Sequence, residues 1–199
     1  MHKQYPEAVH RLLDNPDQIA LSQWVTNALR NHFGDVYHRY MNADPGRKNP
    51  NDPLRCRFGA FPLFCFNFSG DEPVECVPHT DYKNPAGGIC AVMAYGSFDS
   101  TKRHWLFFHD LGVALELPAG CCALYPSSLL LHSNVSLVEA DSEQQVLLGK
   151  GLARGSMVWF AQATYMMLGE LGMTASEAKK AGLDTEYEDV LGMFPQEML

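Results

Sequence analysis

The chain has 199 residues, 46% hydrophobic and 19% charged, with a net charge of −8 when its eight histidines are neutral. That composition excludes a disordered polar chain, allows one domain with a sizeable core, and disfavours non-specific nucleic-acid binding, which needs a basic footprint. No stretch of about 18 apolar residues occurs, so no membrane span is expected.

Residues 1–13 are polar and charged without the apolar centre of a signal peptide. The six cysteines (Cys56, Cys65, Cys76, Cys90, Cys121, Cys122) lack zinc-site spacing. They are expected to be reduced, in an intracellular protein, cytoplasmic or nuclear. On a strand Cys121 and Cys122 face opposite ways, which argues against a paired redox device.

Residues 5–40 read as helical. Pro6 suits a first helical turn, and Asn15-Pro16-Asp17 breaks the pattern. A second helix over about 17–32 carries Ile19, Leu21, Trp24, Val25, Ala28 and Leu29, near one apolar face that should cover a sheet. Residues 42–55 hold three prolines and few apolar residues, which suggests a loop, a domain edge or an active-site lid. From 56 the text turns aromatic and strand-like, with Pro62 marking a bulge or an edge. Strands are expected at about 73–78, 89–95, 104–108, 112–117, 121–125, 129–132, 134–138 and 153–162. Gly- and Pro-bearing turns separate several of them, the pattern of a sandwich or barrel. Residues 139–145 form an acidic break. The tail from 163 is helical again, with a capping-box pattern at Thr174–Glu177 and a stop at Gly182.

Within this frame Val77-Pro78-His79-Thr80-Asp81-Tyr82 stands out, together with His132 fifty-three residues after His79. Positions i and i+2 of an extended segment share a side, so His79 and Asp81 can reach one ion. His132 lies in the apolar run Leu129-Leu130-Leu131-His132. Two histidines and one carboxylate on one face of an ion form the facial triad of non-haem Fe(II) oxygenases. Downstream, Arg154 and Ser156 share one strand face, and a guanidinium fork beside a hydroxyl suits a carboxylate.

The order HxD, strand-borne His, RxS resembles the Fe(II)/2-oxoglutarate-dependent dioxygenase superfamily. The segment from about Phe58 to Gln162 resembles more closely a group of fungal oxygenase-like proteins, similar in layout to the TET/JBP branch. The matching text includes Pro78-His79-Thr80-Asp81-Tyr82-Lys83-Asn84, then Gly88 to Asp99, Asp110-Leu111-Gly112, Leu117-Pro118-Ala119-Gly120, Tyr125-Pro126-Ser127-Ser128 and Leu131-His132-Ser133-Asn134.

This resemblance implies a mainly β protein with a double-stranded β-helix, or jelly-roll, core over 56–163. A helical support (1–41) and a loop (42–55) precede the core, and a helical tail (164–199) follows it. It also implies Fe(II), 2-oxoglutarate and O2, with His79, Asp81 and His132 as iron ligands and thus the catalytic centre. Arg154, Ser156 and Asn67 become the cosubstrate-binding residues. In most such enzymes the arginine follows the distal histidine more closely than the twenty-two residues here, which leaves Lys150 and Arg103 as alternative anchors.

The implied reaction is hydroxylation of a C–H bond. The substrate is expected to be a small molecule or an amino acid, with Tyr82, Lys83 and Tyr95 lining its site and loops 42–55, 82–88 and 139–152 shaping it. His104 and Trp105 are further cavity candidates, and His109-Asp110 reads as a turn. Two alternatives stand beside this reading. One is TET/JBP-like or AlkB-like oxidation of methylated nucleobases, for which the charge gives no support. The other is a metal-binding cupin-like module without turnover.

Overall fold

The computed structural model describes residues 6–68, 74–134 and 154–183. Among these residues seven strands form two antiparallel sheets, and helices lie before and after them.

The N-terminal helices are α1 (Pro6–Leu13), α2 (Pro16–His32) and α3 (Gly34–Ala43). The Asn15-Pro16 break is the start of α2. The Asn15 side chain accepts hydrogen bonds from Asp17 N and Gln18 N, and Pro16 occupies a first-turn position where no N–H is needed. The buried face of α2 is rotated from the one expected. Val25 and Leu29 are fully buried, but Ile19 and Trp24 are about half exposed, and Gln18, Ser22 and Thr26 face inward instead. Each inward polar group has a partner. Ser22 Oγ accepts from Trp159 Nε1 at 2.9 Å and from Gln18 Nε2 at 3.1 Å, and Thr26 Oγ1 accepts from Ala60 N at 2.9 Å. Hydropathy alone misplaces the face because it cannot see these bonds.

The larger sheet runs β1-β7-β2-β5, with β1 Leu63–Asn67, β7 Gly155–Phe160, β2 Cys90–Tyr95 and β5 Cys122–Tyr125. β1 is an edge strand, as Pro62 at its entry suggests. The smaller sheet runs β4-β3-β6, with β4 Val113–Leu115, β3 Leu106–Phe108 and β6 His132–Ser133. The helical layer covers one face of the larger sheet, where Trp159, Phe61, Leu29 and Val25 are fully buried. The other face carries a second apolar cluster, of Cys90, Val92, Ala94, Leu106, Phe108, Leu117, Ala123 and Tyr125, drawn from both sheets. Burying side chains of this size stabilises by about 1.5–3 kcal/mol each, and the two clusters hold the layers together.

Two sequence expectations change here. The strand expected at 73–78 is not one. Residues 74–77 take no regular secondary structure, residue 78 is a bend, and an isolated bridge joins His79 to His132, while residue 73 lies outside the described residues. Single backbone bonds, Val74 N to Arg154 O and Asn134 N to Cys76 O, hold this run together with side chains. The Asn134 side chain is one, accepting from Cys76 N at 2.7 Å and donating to Val74 O at 3.1 Å. Nor is the 42–55 segment a lid. Asp44 closes it on itself by accepting from Gly46 N and Cys56 N, and Tyr165 holds Leu54 O, so it packs on the helical side away from the cavity described below. The expected strand at 134–138, the acidic loop 139–152 and Lys150 fall almost wholly outside the described residues.

After β7 come α4 (Ala163–Leu171) and α5 (Ala175–Lys180). Thr174 and Glu177 form a reciprocal capping box, and Gly182 (φ 74°) takes the left-handed turn after the helix. α4 rests on α3 at Gly169, where an added Cβ would stand 2.1 Å from Ala43 O. Arg39 and Glu170 join the same two helices through a paired ion contact. Gly169→Ala is therefore expected to destabilise the protein by about 1–3 kcal/mol, read as a lower thermal midpoint, because backbone cannot retreat as a flexible side chain can. An unchanged midpoint would show that α4 does not need this close approach.

Candidate metal centre and cosubstrate cavity

A cavity of about 540 Å³ lies between the sheets, its wall running from the β1 end of the large sheet to β6. His79, Asp81 and His132 line it, and their ligand atoms all lie within 4.8 Å of one another. Each comes from a different local device. His79 and His132 face each other across the isolated bridge, whose two backbone hydrogen bonds, His79 N to His132 O and His132 N to His79 O, are both 2.9 Å. Their ring centroids are 4.4 Å apart. In both rings Nδ1 sits 2.8 Å from the carbonyl oxygen two residues earlier, Val77 O and Leu130 O. A carbonyl can only accept, so Nδ1 carries the proton and Nε2 is left with a free lone pair.

Asp81 lies just beyond the bridge, its N–H donating to Ser127 O at 2.9 Å. One carboxylate oxygen is 3.7 Å from His79 Nε2, and the other accepts from Asn84 Nδ2 at 3.3 Å. Asn84 is buried and also donates to Ser127 Oγ. Its backbone N–H closes the turn onto Asp81 O at 2.8 Å. Burial is the main cause holding the His132 pKa below the ordinary histidine value, and Tyr125 packs edge-on to its ring at 5.0 Å. A buried, neutral imidazole, a second imidazole in the same tautomer and an oriented carboxylate are the donor set a divalent first-row ion takes.

At the other end of the cavity stands Arg154, only 3% exposed. It is clamped to Val74 twice. Its carbonyl accepts from Val74 N at 2.9 Å, and its guanidinium Nη1 donates to Val74 O at 2.9 Å. Its Nε is buried with no hydrogen-bond partner among the described residues. Arg154 nonetheless lines the cavity, and a guanidinium fork on such a wall suits an anion held bidentately. The strand pair β1–β7 sets Asn67 opposite Ser156, and Asn67 Nδ2 donates to Ser156 Oγ at 2.9 Å beside it. Arg154, Ser156 and Asn67 thus stand together on the wall that the triad also lines.

Of the other sequence candidates, Tyr82 and Lys83 line the cavity and Tyr95 does not. The Tyr95 hydroxyl donates to Asn67 O at 2.9 Å and its ring stacks on Phe66 at 4.8 Å, so it braces the Asn67 strand. His104 and Trp105 are also off the wall. Trp105 Nε1 donates to Ser100 O, and His104 is buried next to Glu75, its pKa lowered to about 4 first by burial and then by the Arg154 charge. Arg103 does not line the cavity, which leaves Arg154 as the anchor candidate among the described residues. His109 is in a single turn of 3-10 helix and bonds Ser133 Oγ. Asn84 and Asn134 were not picked out from the sequence. The signal for Asn84 was its place as fourth residue of a turn that opens on an aspartate; for Asn134, two residues past His132, the apolar text gave none.

No protein-family model matches the chain, and no curated protein matches it. Among solved structures, NgTET1 in complex with 5mC DNA superposes with a TM-score of 0.60 at 13% identity. The match covers 92% of this chain and 62% of that one, so the chain spans less than two thirds of that protein's length. Over nearly its whole length, then, the chain shares its fold with an NgTET1 structure.

Proposed function

We propose that this chain is an Fe(II)- and 2-oxoglutarate-dependent oxygenase that hydroxylates a C–H bond, built on a double-stranded β-helix core over 56–163. The observation that carries the reading is one cavity holding both halves of the requirement: three converging ligand atoms, and a buried arginine on the same wall. The shared fold with NgTET1 supports it. The likeness to fungal proteins rests on sequence text alone.

In this reading His79, Asp81 and His132 hold the iron, and Arg154, Ser156 and Asn67 hold the far carboxylate of 2-oxoglutarate. The iron and cosubstrate, when bound, supply the activation of O2 and the oxidation. The protein's part is positional. The two Nδ1–carbonyl bonds fix both imidazole tautomers, Asn84 and Ser127 aim the Asp81 carboxylate, and Val92, Leu106, Val158 and Phe160 keep the wall between the two ends apolar. We place the enzyme inside the cell, cytoplasmic or nuclear, because its six cysteines are all free thiols. Separately, among the described residues no helix is long and apolar enough to cross a membrane.

A second reading is oxidation of a methylated nucleobase, favoured by the 5mC DNA in the NgTET1 structure. The net charge of −8 weighs against it, because duplex binding is carried largely by phosphate neutralisation. The deciding assay is succinate formation from 2-oxoglutarate with Fe(II) and ascorbate. Wild type is expected to form succinate only with iron present, and a chelator should stop it. No succinate above the protein-free control with iron and 2-oxoglutarate present would sink the oxygenase reading in favour of a metal-binding module without this turnover.

A further inference from the structure

We propose that the turn 81–84 is a docking platform for a flat, anionic small-molecule substrate, its ring on Tyr82 and its carboxylate or phosphate on Lys83. The proposal rests on the oxygenase reading above and adds the class of substrate.

The turn is held from several sides. Asp81 N–H donates to Ser127 O, Asn84 N–H to Asp81 O, the Asn84 amide to both Asp81 and Ser127, and Ala163 N–H, at the start of α4, to Lys83 O at 2.8 Å. A backbone fixed in this way presents its two middle side chains at constant positions. They are an aromatic and an ammonium, both exposed and both on the cavity wall next to the proposed ligand Asp81. Tyr82 is 67% exposed, unusual for a ring on a tightly bonded turn. Tyrosine has only two side-chain torsions to freeze, so it is an inexpensive stacking surface.

Charge gives the sign of the ligand. Among the described residues lining the cavity, Asp81 is the one carboxylate, and Arg154 and Lys83 are the cations. With Asp81 facing the iron and Arg154 the cosubstrate, Lys83 is left without an anionic partner on the wall. Its Nζ lies 5.7 Å from the Tyr82 ring centroid, so ring and charge form one surface. Gln162 lines the same cavity and makes no side-chain cap to α4, which leaves its amide for a polar group of the ligand. A nucleic-acid strand would need a run of cations along its path; a single ring with one acidic group needs only these.

The test is calorimetric binding without oxygen, with Fe(II) and saturating 2-oxoglutarate so that Arg154 is occupied. The probes are indole-3-acetate, its neutral amide and acetate. Wild type should bind the acid about fivefold more tightly than the amide, and acetate more weakly than either. Lys83→Gln should remove the preference for the acid. Tyr82→Ala should weaken both ring probes about tenfold, and Tyr82→Phe should restore them. No acid-over-amide preference in wild type, or the same preference in Lys83→Gln, would overturn the platform. Tighter binding of a 5mC-bearing single strand than of the free ring acids, lost in the same variants, would overturn the small-molecule class. Succinate formation by wild type in air is read separately: if it persists while Lys83→Gln keeps the preference, the platform alone fails.

Discussion

Replacing His132 with alanine is expected to lower Fe(II) affinity by more than about 100-fold and to abolish succinate formation. Loss of a mere outer partner of a metal ligand already costs about 10–100-fold, and here a ligand itself goes. The variant separates chemistry from folding, because the pairing of His132 with His79 is made by backbone atoms in both directions and survives the change. What disappears is the imidazole, its Nδ1 bond to Leu130 O and its packing against Tyr125. Some stability should be lost with that packing, so the thermal midpoint is measured beside the metal titration. His109→Ala is the matched control. It removes a nearby imidazole bonded to Ser133 Oγ, outside the cavity wall, and should leave iron affinity unchanged. Wild-type iron affinity in His132→Ala would remove His132 from the proposed ligand set.

The sequence made the triad legible because its chemistry is local in kind. Only a few residue types ligate iron, and His79 and Asp81 are two positions apart in an extended segment. It did not reveal what aims them. The alternation rule puts both side chains on one side of a strand, yet Asp81 lies past the bridge, and its carboxylate is turned by Asn84 and Ser127. The α2 face was misread for a related reason. A serine that receives the Trp159 indole and a threonine that receives Ala60 N are buried by their hydrogen bonds, and a hydropathy pattern scores them as solvent-facing. The 42–55 loop resembled a lid because prolines and polar residues mark any excursion; that Asp44 folds it back on the helices depends on contacts distant in sequence. Tyr95 was assigned to the cavity by its place on a core strand. Its hydroxyl instead reaches across the missing Gly155 side chain to Asn67 O, an approach that a Cβ at 155, 2.2 Å from the Tyr95 ring, would prevent.

Arg154→Ala should raise the 2-oxoglutarate concentration for half-maximal succinate formation by about 100-fold or more while leaving Fe(II) affinity near wild type. The magnitude follows from removing one partner of a buried ion pair, about 3 kcal/mol or more. Two roles must be told apart, because Arg154 also donates to Val74 O and so ties the 74–79 segment that carries His79. If bracing were its whole role, alanine would loosen His79, and iron affinity and thermal stability would fall with cosubstrate affinity. If it is the anchor, the cosubstrate requirement moves alone. Arg154→Lys sharpens the contrast. Lysine keeps a charge at this end of the cavity but loses the planar fork and the Nε donor. It should recover only part of the lost affinity, and a longer dicarboxylate would not compete better against it. An unchanged 2-oxoglutarate requirement in Arg154→Ala would remove the anchor, and with it the reason to assign this cavity a dicarboxylate.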